Sequence, residues 1–263
     1  MENSLPKFYF INLDRSNDRL KHMEKFFKKL GKKMKLNVKF ERIKAFDGKN
    51  ENVDNFYNLK LKNMWHGKTR NVKAIGPEFG CTYSHIKAMK TFLNDSNNTD
   101  DLAFICEDDL ELFRLDKDKF KETLDATILL AKEHELVAVS CVGSPNLIQP
   151  MINNTKAINY VDYNENRGRL YGTGCYMITR TLAKKIVNKY LKDDKLILDK
   201  HHETMVADHF IYPLAKKTKF MIPSLFAIKP ENDSYIHSEH TSMHDNVQKL
   251  MYLLWYQIGF IKK

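Results

Sequence analysis

The chain has 263 residues, 43% of them hydrophobic and 11% aromatic, which suffices for a sizeable core and excludes an intrinsically disordered protein. Its formal net charge of +10 calls for an anionic partner: nucleic acid, an acidic membrane surface or phosphate-bearing small molecules. No apolar run approaches the ~20 residues that span a bilayer, and the N-terminus lacks a signal-peptide core, so a soluble, unprocessed, cytoplasmic protein is expected.

A first strand is expected over Phe8-Tyr-Phe-Ile-Asn-Leu13, a run of β-formers. It leads into Asp14-Arg15-Ser16-Asn17-Asp18-Arg19, after which Leu20, Met23, Phe27 and Leu30 recur at helical spacing until Gly31, read as the helix stop. Arginines at the start of a helix suit an anion, because the guanidinium fork and the helix dipole both favour negative charge. Val38 to Phe46 alternates as a second strand and closes on Asp47-Gly48. Residues 49–75 are polar and without period, a length of connection that reads as a mobile lid. Gly76-Pro77-Glu78 then opens a helix through Leu93, with Ser84 and His85 on its N-terminal half.

The central expectation is Leu102-Ala-Phe-Ile-Cys106, a buried strand that runs straight into Glu107, Asp108 and Asp109. Carboxylates at the end of a buried strand need partners, and the carboxyl ends of strands are where open α/β sheets place ligands. A helix from Phe120 to Leu130, a strand from Leu136 to Val142 and irregular chain over 144–169 follow. The strand Arg169 to Thr179 carries Gly172 and Gly174, which allow close approach of a ligand or backbone. A helix over 181–191 leads to Asp208, a carboxylate among apolar residues whose raised pKa suits a general base. Phe220 to Pro223 reads as the last strand, Ser234 to His237 as polar tail, and 246–260 as an amphipathic helix. The four cysteines, Cys81, Cys106, Cys141 and Cys175, are far apart and form no C-x-x-C, so they read as reduced core residues and not as a zinc site. Alternating strands and helices with no repeat predict one α/β domain over 1–263, built on a mostly parallel sheet flanked by helices.

Five pieces stand in one order: Phe10-Ile-Asn-Leu-Asp-Arg15 with Arg19, Ala45-Phe-Asp-Gly48, Gly80-Cys-Thr-Tyr-Ser-His85, Glu107-Asp-Asp109 and Gly172-Thr-Gly-Cys-Tyr176. Together they resemble glycosyltransferase family 25, which includes lipooligosaccharide and procollagen galactosyltransferases, over roughly residues 7–237. The resemblance implies a Rossmann-like GT-A type domain that uses a UDP-sugar donor, usually UDP-galactose, with Mn²⁺ or Mg²⁺. It places Asn12, Asp14, Arg15, Arg19, Ala45 and Asp47 near the nucleotide, with Ser84, His85, Gly172 and Gly174 also at the donor site. Asp109 becomes the principal metal ligand, helped by Glu107 and by a histidine of the C-terminal region, His237, with His240 and His244 as further candidates. Glu107 or Asp108 contacts ribose or a metal-bound water, and the triplet in place of a plain Asp-x-Asp leaves the division of roles open. Inverting transfer to a glycan, lipid-linked or protein hydroxyl needs a base: Asp208, with Glu203 as the alternative. The competing readings are a basic nucleic-acid-binding protein or metal-dependent nuclease, disfavoured because the lysines form no stripe, and a catalytically inactive sugar-binding member of the family. A basic surface around Lys28 to Lys39 suits peripheral contact with an anionic membrane.

Overall fold

The computed structural model describes residues 5–53, 75–197, 205–229 and 241–261. Strand β1 (Phe8–Asn12) is buried at every position, as the unbroken β-forming run requires of a strand covered on both faces. It turns through Ser16 into α1 (Asn17–Met34), whose Met23, Phe26, Phe27 and Leu30 form the core-facing stripe. The helix passes through Gly31 and ends at Lys35, in the left-handed region with φ 54°, whose backbone N–H donates to Gly31 O. Gly31 is therefore not the stop. A Cβ there would lie 2.8 Å from Leu36 O, so the glycine lets the chain fold back over the last turn.

Strand β2 (Phe40–Lys44) pairs parallel with β1 as an edge strand, largely exposed. Helix α2 (Ile75–Asn94) then crosses to β3 (Leu102–Cys106), which pairs parallel with the other side of β1. The aromatic core joins these strands: Phe8 stacks on Phe104 at 4.1 Å and 3°, with Phe27 tilted against Phe8 at 5.3 Å. Short β4 (Leu110–Leu112) precedes α3 (Lys117–His134), whose N-cap Asp116 accepts from Asp118 N and Lys119 N. Strand β5 (Glu135–Gly143) follows, and then a stretch that is not irregular. Its α4 (Pro145–Ile148), α5 (Met151–Asn154) and β6 (Asn159–Asp162) are each four residues long, too short to register as periods.

Strand β7 (Leu170–Thr179) and α6 (Arg180–Tyr190) are followed by the pair β8 (Leu191–Lys192) and β9 (Lys195–Leu196). Helix α7 (Ala207–Ile211), β10 (Lys217–Ile222), β11 (Phe226–Ile228) and α8 (Thr241–Gln257) complete the described chain. The seven-stranded sheet has the order β2-β1-β3-β7-β5-β10-β6. Strands β2, β1, β3, β5 and β10 run one way, and β7 and β6 run against them. The sheet is thus mostly parallel and flanked by helices, but an antiparallel strand sits at its centre.

Connectivity sets the site. From β1 the chain crosses through α1 to β2 on one side, and from β2 it crosses through α2 to β3 on the other. Right-handed crossovers in opposite directions put α1 and α2 on opposite faces and leave a crevice between the carboxyl ends of β1 and β3. Residues 107–109 begin in that crevice. No described helix is long and apolar enough to cross a membrane.

Candidate active site

The acid turn is pinned at both ends. Glu107 N donates to Gly174 O at 2.9 Å, and beyond the turn β4 pairs antiparallel with β11, where Lys229 N donates to Asp109 O at 2.7 Å. Asp108 points into the crevice and is spent on protein partners: Asn12 Nδ2 donates to its Oδ2 at 2.7 Å and Arg19 Nη1 to its Oδ1 at 2.8 Å. Asn12 is itself held by Arg42, whose Nε donates to its Oδ1 at 2.9 Å. Burial pushes the Asp108 carboxyl up, and Arg19 and Asn12 offset that only in part. Burial also acts to raise Glu107, but His85, Thr173 and Arg19 outweigh it and hold that carboxyl below the usual range. Its Oε1 accepts from Thr173 Oγ1 at 3.0 Å and lies 3.6 Å from His85 Nε2.

A cleft of about 260 Å³ opens over this turn. One wall is the N-terminal half of α2, with Pro77, Gly80, Cys81, Ser84 and His85. Ser84 ties that helix to the turn after β2: its hydroxyl donates to Gly80 O at 2.5 Å and accepts from Phe46 N at 2.9 Å. Gly80 is required there, since a Cβ would lie 2.7 Å from Phe46 O. Arg15 and Asp47 line the mouth and pair with each other, Nε to Oδ2 at 2.9 Å. Lys49 and Lys229 add positive charge, so the cleft offers cations for an anionic ligand beside acids for a metal.

The opposite wall is β7. Its pairing with β5 shifts register between Ala138 and Val142, and there Gly172 adopts φ 89°. This left-handed turn takes the Gly172 N–H out of the ladder and aims it at Asp208 Oδ2, at 3.3 Å. Tyr212 OH donates to Gly172 O at 2.5 Å. Asp208 is 4% exposed, and its Oδ1 has no hydrogen-bond partner among the described residues. Burial raises its carboxyl, with His209 and the backbone N–H groups pulling the other way.

The sequence-predicted residues therefore separate into groups. Arg15, Arg19, Ala45, Asp47, Ser84 and His85 line the cleft, as do Glu107, Asp108, Asp109, Gly172 and Gly174. Asn12 lies behind Asp108 and acts through it. Asp14 faces away, held by Arg42 Nη2 and Lys44 Nζ, each at 2.8 Å. Asp208 lies behind Gly172 and does not line the cleft. Glu203, His237 and His240 fall outside the described residues, as does all of the predicted lid at 49–75 except residues 49–53 and 75. Sequence reasoning missed Asp245 and Gln248 of α8, both at the cleft. Gln248 Oε1 accepts from Ile228 N at 3.3 Å, while Asp245 Oδ1 and Gln248 Nε2 are buried without a hydrogen-bond partner among the described residues. Their spacing of three, which puts them on one helix face, was the available signal.

Oxygen donors fit a hard divalent cation, and Glu107 and Asp109 supply them at the cleft while Asp108 is engaged elsewhere. No curated protein sequence matches the chain. Among solved structures it is similar to HddC from Yersinia pseudotuberculosis complexed with GMP-PN, at 10% identity over 82% of this chain and 89% of that one. With a TM-score of 0.31, that likeness carries no weight for fold or activity. The model of glycosyltransferase family 25 (LPS biosynthesis protein) matches residues 5–211, the span that holds the crevice, the α2 wall, the pinned acids and the β7 wall. This chain belongs to glycosyltransferase family 25.

Proposed function

We propose that this glycosyltransferase is an inverting, metal-dependent hexosyltransferase that moves galactose from UDP-galactose to a hydroxyl of a glycan, lipid-linked or protein acceptor. The carrying observation is the meeting of three acids and several cations at one cleft. Asp108 is clamped by Asn12 and Arg19 and Glu107 is fixed by Thr173, and Glu107, Asp108 and Asp109 line the cleft beside Arg15, Lys49 and Lys229. That pairing of oxygen donors with cations suits a nucleoside diphosphate and a hard cation together.

Glu107 and Asp109 would hold Mn²⁺ or Mg²⁺, with a C-terminal histidine such as His237 as a further ligand. The ion would supply charge compensation for the departing diphosphate. Arg15, Arg19 and Lys49 orient the phosphates, and the Ala45–Asp47 turn borders the nucleoside. Asp208 lies behind Gly172 and not on the cleft, so in this reading it takes the proton of an acceptor hydroxyl that reaches its unpartnered Oδ1 past the Gly172 wall. The hydroxyl oxygen attacks the anomeric carbon as the bond from that carbon to the diphosphate oxygen breaks, inverting the centre. Its burial-raised carboxyl matches that task. In this reading the enzyme works in the cytoplasm, and the basic stretch Lys28 to Lys39 meets an anionic membrane that carries the acceptor.

Calorimetry of UDP and UDP-galactose, with and without Mn²⁺, tests the donor site. Metal-dependent binding that disappears in Asp109→Ala is expected. No binding under any condition, or binding that Asp109→Ala leaves intact, overturns the assignment. For the base, Asp208→Asn is expected to lower kcat by about 10²- to 10⁴-fold with donor affinity unchanged.

A further inference from the structure

Cys81, His85 and Glu107 form a second cluster at the same cleft, with donor atoms of another kind. One ligand atom of each lies within 4.8 Å of the other two. Cys81 and His85 are four apart on α2 and so share a face, while Glu107 arrives from the end of β3. His85 is 0% exposed. Its Nε2 has no hydrogen-bond partner among the described residues, and Glu107 Oε1 stands 3.6 Å away, an ion pair only with a protonated ring.

The surroundings hold these side chains as an outer shell holds metal ligands. His85 Nδ1 lies 3.1 Å from Tyr176 OH; in the metal-bound form Nδ1–H donates to that oxygen and Nε2, giving up any proton it shares with Glu107 in the metal-free protein, turns its lone pair to the ion between Cys81 and Glu107. Thr173 Oγ1 donates to Glu107 Oε1 at 3.0 Å and fixes the carboxylate. Both outer partners come from β7.

We propose that Cys81, His85 and Glu107 bind a borderline-soft divalent cation of the zinc class through one sulfur, one nitrogen and one oxygen, leaving a fourth position open to the cleft. A thiolate and an imidazole select zinc or cobalt over Mn²⁺ and Mg²⁺, which prefer oxygen. On binding, Cys81 gives up its thiol proton to solvent and forms the metal–sulfur bond. The site is distinct from a hard-cation site at Asp109, although the two share Glu107. It does not depend on the donor sugar or on transfer activity.

The probe is Co²⁺ added to the purified full chain and followed by absorption spectroscopy, with Zn²⁺ calorimetry alongside. A thiolate-to-cobalt charge-transfer band with one equivalent of metal is expected. Cys81→Ser should abolish the band, and Tyr176→Phe should weaken Zn²⁺ binding by about tenfold through its loss from the outer shell. Asp109→Ala should keep the band, even where it abolishes Mn²⁺-dependent UDP binding, which separates the two sites. Thermal unfolding of each metal-free variant confirms that it is folded. Absence of the band in the wild-type protein, or its survival in folded Cys81→Ser, overturns the proposal. So does Zn²⁺ binding that Asp109→Ala removes and Cys81→Ser does not.

Discussion

Asp108 and Asp208 are both buried, and their partners give them different work. Asp108 is paired, so removing its cation strands a charge. Arg19→Ala is expected to cost about 3 kcal/mol in urea unfolding, since Arg19 and Asp108 are 14% and 10% exposed and form a nearly buried pair. Asp208 Oδ1 has His209 Nε2 at 3.9 Å, but that ring is 56% exposed and offsets burial only in part, so the carboxyl is raised above the ordinary 3.8. Between 3.8 and the raised value the folded state holds more protons than the unfolded one, so this group's contribution to stability falls as pH rises through that window. Asp208→Asn removes the slope. The stability of the variant relative to the parent should therefore increase from pH 3.5 to 7 in chemical unfolding, and parallel curves would refute the assignment. The acids themselves were legible in the sequence, because an apolar run that ends in three carboxylates is conspicuous. Their partners were not. Asp14 stands as close to the crevice in sequence as Arg15 does, yet Arg42 and Lys44, two apart on β2 and so on one face, draw it away from the cleft.

At the scale of elements, two contacts hold the cleft in shape. Gly80 lets α2 touch the backbone of Phe46, so Gly80→Ala is expected to cost about 1–3 kcal/mol and to weaken UDP binding by displacing the Ala45–Gly48 turn. Helix α8 buries Val247, Met251, Leu254 and Trp255, and Trp255 Nε1 donates to Ser224 O at 2.9 Å. Trp255→Phe removes that donor from a buried carbonyl and should cost about 1–3 kcal/mol by denaturant titration. Every long strand and helix announced itself by period or β-forming composition, because burial of one face or both imposes that pattern on the sequence. Strand direction did not: β7 reads as a buried run whichever way it pairs, and only the structure sets it antiparallel between β3 and β5. Asp245 and Gln248 escaped for a related reason. On an amphipathic helix they look like residues of the solvent face.

The whole molecule places its fixed and its adjustable parts differently. Residues 107–109 hang between β3, hydrogen-bonded through Glu107 N to β7, and the β4–β11 pair, through Lys229 N. Anchored on one side by the buried seven-stranded sheet and on the other by the separate β4–β11 pair, this turn is held at both ends. Its amide at Glu107 should exchange with deuterium only when the sheet itself unfolds, while amides around Asp47 and Lys49 exchange sooner. Added UDP and Mn²⁺ should then slow exchange at the rim and leave residues 102–107 unchanged. An enzyme built this way meets its ligand with a stationary floor, and whatever selectivity comes from adjustment resides in the segments around it.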